Sequence, residues 1–106
     1  MSNEIQSYKR IDVSGAKELI INNKVTIADI RDTGSFQEGN IPDSINLTDQ
    51  NIEEFMETAD RSAPLLVYCY HGNNSVGAAE YFVNNGFRSV YSLDGGYAEY
   101  SEQDSR

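Results

Sequence analysis

Short apolar, β-branched runs alternate with stretches whose apolar residues recur at helical spacing. Together they predict an α/β fold: a five-stranded, mainly parallel sheet with helices on both faces. Length agrees, because 106 residues suffice for one domain, with an ordered core expected over about residues 8–100. Hydrophobic residues at 39%, with 7 Tyr and 4 Phe, fill such a core without a disulfide or metal staple.

The elements follow in order. Tyr8 to Ile11 is a weak first strand, and Ser14 offers a hydroxyl to cap a helix through Ile21 whose inward face is Ala16, Leu19 and Ile20. Val25 to Ile30 has the β-branched character of a buried parallel strand, with polar Asp29 and Arg31 at its end. Asp32 to Gly39 suits a loop with a short helical turn, and Ile45 to Leu47 a short strand. Thr48 or Asp49 is placed to cap the next helix, in which Ile52, Phe55, Met56 and Ala59 form an apolar stripe. Pro64 precedes a continuous apolar run, Leu65 to Cys69, and the polar stretch from Tyr70 to Ser75 ends that strand. From about Ser75 a helix turns Ala78, Ala79, Phe82 and Val83 inward and stops at Gly86, a natural left-handed cap. Ser89 to Leu93 is the last strand, Asp94 to Gly96 a turn, and Tyr97 to Tyr100 a short final helix. The first few residues and Ser101 to Arg106 are expected to fray.

Charge excludes whole classes of partner. Eight Lys and Arg against 17 Asp and Glu leave a formal charge of −9, and the mean hydropathy is −0.55. A chain so acidic has no basic patch for nucleic acid or for anionic lipid. The acids from Glu38 to Asp60, with no base among them, read as a solvated face, or else as a docking surface for a basic partner. No apolar run approaches the roughly 20 residues of a membrane span, and residues 1–8 lack a signal-peptide core. A cytoplasmic protein is expected. The one cysteine, Cys69, excludes an internal disulfide and a cysteine-based metal cage, and suits a reducing compartment.

In parallel sheets ligands bind beyond the carboxyl ends of the strands, where this reading gathers Asp29, Arg31, Cys69 and Asp94. Cys69 stands between a strand and a loop feeding a helix. Unpaired amides and the helix dipole converge at such a place and lower a thiol's pKa, and the thiolate is the nucleophile. A small, buried, inert cysteine is the alternative that placement alone leaves open.

Further residues narrow the choice. Cys69-Tyr-His-Gly-Asn-Asn-Ser75-Val-Gly-Ala-Ala79, followed by Ser92-Leu-Asp-Gly-Gly96 and preceded by Asp29-Ile-Arg31 and Phe36-Gln-Glu-Gly-Asn-Ile41, resembles the rhodanese family. The likeness extends from about Tyr8 to Tyr100 and is to its single-domain bacterial thiosulfate sulfurtransferases. The resemblance implies that Cys69 takes the outer sulfur of thiosulfate as a persulfide and passes it to cyanide, a thiol or a protein such as thioredoxin, with no cofactor. It implies that Tyr70, His71, Gly72, Asn73, Asn74 and Ser75 form the substrate-binding cradle. Asp29 and Arg31 would brace that loop rather than touch substrate, and Asp94, Gly95 and Gly96 would close a turn against it. His71 is assigned a loop-shaping role, because a thiolate needs no base, and Tyr70 is either a wall or a contact.

Three positions depart from the family pattern. Asn40 stands for its histidine, Tyr100 for its closing tryptophan, and Val76 for a basic residue that often follows the loop. Val76 removes a charge that favours a dianion and points to weaker thiosulfate binding or another donor. A phosphatase loop would need Arg where Ser75 stands. A non-catalytic interaction module, or a persulfide carrier serving a partner protein, is the remaining rival.

Overall fold

A run that is apolar at every position is satisfied only when both of its faces are covered. The computed structural model of the chain describes residues 7–104, and its central strand is such a run. β1 (Lys9–Ile11), β2 (Thr26–Asp29), β3 (Ile45–Asn46), β4 (Leu65–Tyr68) and β5 (Val90–Leu93) form one sheet in the order β1-β5-β4-β2-β3. Every pairing is parallel, where sequence led us to expect a mainly parallel sheet. Between the strands run α1 (Val13–Asn22), α2 (Thr33–Glu38), α3 (Ile52–Thr58) and α4 (Asn74–Asn84), and α5 (Gly96–Asp104) follows β5.

Alternation along β4 divides the core in two. Leu66 and Tyr68 pack with Val13 and Ala16 of α1 and Tyr100 of α5. Leu65 and Val67 face the other way, onto Ala79 and Phe82 of α4 and Phe87, with Phe55 and Met56 of α3 packed against that cluster. All four β4 residues are 0% exposed, and each buried aliphatic contributes about 1.5–3 kcal/mol. Such a strand is a rigid platform for whatever follows it.

Three expectations about element ends are corrected. α1 is capped by Asp12, not Ser14: the Asp12 carboxylate accepts from the Gly15 amide at 2.8 Å, and Ser14 lies inside the first turn. An anion there also meets the positive end of the helix. Neither Thr48 nor Asp49 caps α3. The Thr48 hydroxyl accepts from Gln50, while Asn51, directly before the helix, turns its side chain back to Thr48 N and Asn46 O. α5 does not fray at residue 101 but continues to 104. Buried Tyr100, stacked on Tyr97 at 6.0 Å, anchors it, and Gln103 donates to Glu99 one turn back. Gly86 has the expected left-handed φ of 96° after α4. The fraying expected of the first few residues, and of residues 105 and 106, lies outside the described residues.

Candidate active site

Cys69 is the first residue past β4, so the buried strand fixes its backbone. The chain then reverses through Gly72, at φ 95°, and enters α4 at Asn74. This turn brings the Gly72 amide to 3.2 Å from Cys69 Sγ and the Ser75 amide to 3.3 Å. Burial is the largest influence on the thiol and pushes its pKa up. The Ser75 hydroxyl and the amides of Ser75, Gly72 and Asn74 together outweigh it, so the pKa falls below the ordinary thiol value. Cys69 is 4% exposed.

The cradle is shaped mainly by backbone. A Cβ on Gly72 would stand 2.9 Å from the Gly95 amide, in a conformation that side chains rarely adopt. Gly96 is tighter still: a Cβ there would meet the carbonyl oxygens of Cys69 and Tyr70 at 2.6 and 2.5 Å. That close approach lets the first turn of α5 hold the peptide of Cys69 itself. Tyr97 N–H donates to Cys69 O at 2.8 Å, and Ala98 N–H to Tyr70 O at 2.9 Å.

Around this centre the named residues divide. Ser75 is fully buried, and its hydroxyl is 2.8 Å from that of Ser92. Tyr70, His71, Asn73 and Asn74 are exposed, the rings of Tyr70 and His71 lying 5.0 Å apart. Asn73 has helical dihedrals and makes no side-chain cap bond. Val76 is half-buried in the first turn of α4.

Asp29 and Arg31 form a buried ion pair at the end of β2. Arg31 Nη2 is 2.7 Å from Asp29 Oδ2, Arg31 Nε 3.1 Å from Oδ1, and the Arg31 amide 2.8 Å from Oδ1. Arg31 Nη2 also donates to Gly39 O at 2.6 Å, and its guanidinium lies 4.3 Å from the Tyr97 ring centroid and 5.8 Å from that of Tyr70. Burial pulls the Arg31 pKa down, but Asp29 outweighs it and the net shift is upward. The pair thus ties β2 to α2 and to the aromatic wall beside the loop. Asp94 instead accepts from Arg10 Nε at 2.8 Å, with the two side chains 40% and 67% exposed. Gly95, at φ 78°, carries the amide that approaches Gly72.

Sequence reasoning assigned no role to Ser92, Tyr97 or Tyr68. Tyr68 accepts from the Ile41 amide and meets the Ser44 hydroxyl, each at 3.1 Å, and burial pushes its pKa up to about 12. The available signal for Ser92 was a small polar side chain in a strand otherwise built from Val90, Tyr91 and Leu93. Among the described residues no group of three His, Cys, Asp or Glu is placed to hold a metal ion, and no helix is long and apolar enough to cross a membrane.

A parallel α/β sheet with a cysteine beneath converging amides defines a class: domains that hold an anionic sulfur or oxyanion at a strand end. The rhodanese-like domain model matches residues 12–103. Among curated relatives, thiosulfate sulfurtransferase GlpE of Pseudoalteromonas translucida is 44% identical over 104 residues, covering 94% of this chain and 99% of the relative. GlpE of Shewanella oneidensis is 41% identical over 98 residues, covering 92% and 97%. A rhodanese-related protein of Thermoplasma volcanium superimposes with a TM-score of 0.77 at 28% identity, covering 91% of this chain and 93% of that one. The chain belongs to the rhodanese family and is a rhodanese-type enzyme.

Proposed function

We propose that the chain moves the sulfane sulfur of thiosulfate to a thiophilic acceptor through a persulfide on Cys69. The Cys69 thiolate attacks the outer sulfur, a new S–S bond forms, and the S–S bond of thiosulfate breaks with its electron pair leaving on sulfite. An acceptor then takes the outer sulfur and restores the thiolate: cyanide in an assay, a thiol or a protein such as thioredoxin in the cytoplasm. No cofactor enters either half-reaction. The observation that carries this reading is the pair of amides at 3.2 and 3.3 Å from Sγ, a cradle suited to the thiolate and to the anionic persulfide that replaces it. Asp29 and Arg31 act as the brace, and His71 shapes the loop.

A second reading keeps the persulfide and changes the donor or acceptor, making the chain a carrier or an interaction module. The specific reason to retain it is charge. Val76 is neutral, Arg31 is compensated by Asp29, and the chain is at −9, so a dianion meets little attraction.

The test is to incubate the protein with thiosulfate, record intact mass, and measure thiocyanate on adding cyanide. Wild type gains one sulfur atom and makes thiocyanate, and Cys69→Ser does neither. No gain from thiosulfate but a gain from polysulfide would favour the carrier reading, and no gain from either would overturn both.

A further inference from the structure

A cavity of about 170 Å3 flanks the active loop, lined by Arg31, Ser35, Glu38, Gly39, Tyr70 and Tyr97. That volume lies below the ~300–1,000 Å3 of sites for drug-sized ligands and suits a smaller molecule. It adjoins the nucleophile's peptide, because Tyr70 follows Cys69 and the Tyr97 amide holds Cys69 O. Its two charged walls are unalike. Arg31 donates through Nε and Nη2 to Asp29 and Gly39 O, its guanidinium also interacts with Tyr68, and no hydrogen bond of ordinary distance and angle runs from Nη1 to any of the described residues. Every solvent-shielded side-chain nitrogen or oxygen among them is partnered, so Nη1 has access to solvent, and Arg31, 8% exposed, is one of the cavity's lining residues. Glu38, at the end of α2, is exposed and forms no ion pair with Arg31 or with any other described residue.

With Asp29 behind Arg31 the three charges sum to one negative, which disfavours a simple anion. One guanidinium nitrogen can still donate to a carboxylate, and a carboxylate beside two tyrosine rings suits an ammonium. Both groups on one small molecule describe a zwitterion. We propose that this cavity is the acceptor subsite for a small α-amino-acid thiol such as cysteine, with its carboxylate on Arg31 Nη1 and its ammonium on Glu38. The proposal rests on the persulfide reading. In the step itself the acceptor sulfur attacks the outer sulfur of the Cys69 persulfide anion. A new S–S bond forms, the bond to Sγ breaks with its electron pair left on Sγ, and the acceptor's thiol proton passes to the transferred sulfur. The products are the acceptor persulfide and the Cys69 thiolate, so atoms and charge balance.

The protein is loaded with thiosulfate or, failing that, inorganic polysulfide, freed of excess reagent, and mixed with cysteine, cysteamine, 3-mercaptopropionate or 2-mercaptoethanol at equal thiolate concentration. Loss of the added sulfur is followed by intact mass. Cysteine is the fastest acceptor, cysteamine and 3-mercaptopropionate each lose part of its advantage, and Glu38→Gln lowers the cysteine to 2-mercaptoethanol rate ratio by about fivefold. Glu57→Gln, an exposed acid on α3, leaves that ratio unchanged. Four equal rates, or an equal fall in the two variants, overturn the subsite while the persulfide chemistry stands. Failure of both donors to load Cys69 overturns the function as well.

Discussion

The ends of β4 and β2 lie side by side in the sheet, yet they secure polar groups in opposite ways. After β4 the groups around Cys69 Sγ are mostly main-chain amides, and of the loop side chains Tyr70, His71, Asn73 and Asn74 face solvent while Ser75 is buried. After β2 a carboxylate that is 0% exposed and a guanidinium hold each other through side-chain atoms. A backbone-built site depends on conformation and tolerates many side chains, whereas a side-chain pair depends on both partners being present.

Substitutions that exploit this difference should fall in a definite order. Asp29→Ala leaves a buried guanidinium without its counter-ion and is expected to cost about 3–5 kcal/mol, read by chemical denaturation. Equal stability of variant and wild type would mean that solvent reaches Arg31. Gly72→Ala costs less, about 1–3 kcal/mol, but strikes the chemistry harder, because the amide that moves is one of those on Sγ. In wild type, iodoacetamide alkylation of Cys69 is half-maximal at a lower pH than for an ordinary free thiol. The sign follows from the lowered pKa: the thiolate persists as pH falls past the ordinary value and is lost only at the folded-state pKa. Gly72→Ala should move that midpoint upward, and an unmoved midpoint would show that the Gly72 amide does not matter to the thiolate.

Smaller effects sharpen the contrast. Val76→Lys returns a cation to the first turn of α4 and should raise kcat/KM for thiosulfate by about fivefold at low ionic strength, declining as salt is added. The end of β5 marks the bottom of the scale, since the Arg10–Asp94 pair is open to water. Asp94→Asn is expected to change stability by no more than about 1 kcal/mol, with sulfur transfer unaltered. A large loss of transfer would assign Asp94 a role that its contact with Arg10 does not suggest.

The same contrast governs what could be read without coordinates. Short apolar runs marked the five strands, and a lone cysteine between an apolar run and a polar, glycine-bearing loop marked a candidate nucleophile, which the family resemblance then favoured over an inert thiol. Both are local patterns. The cap of α1 escaped because Asp12 and Ser14 are each good capping residues two positions apart, and only the entry angle of the chain decides between them. α5 reaches residue 104 because Tyr100 buries against α1 and Tyr97 stacks on it, contacts that a polar tail does not announce. Ser92 and the cavity beside Tyr70 escaped for a related reason: each depends on residues distant in sequence meeting across the sheet, as Ser75 meets Ser92 and Arg31 meets Tyr97.

The grip of α5 on the Cys69–Tyr70 peptide bears on how this enzyme comes into being. Cys69 and Tyr70 belong to the middle of the chain, but the donors that restrain their carbonyls come from Tyr97 and Ala98. On a ribosome, a nascent polypeptide with β4 and α4 already formed would still carry the Cys69 and Tyr70 carbonyls unrestrained until the last helix docked. Sulfur-transfer competence would then arise late, as a signal that folding is complete.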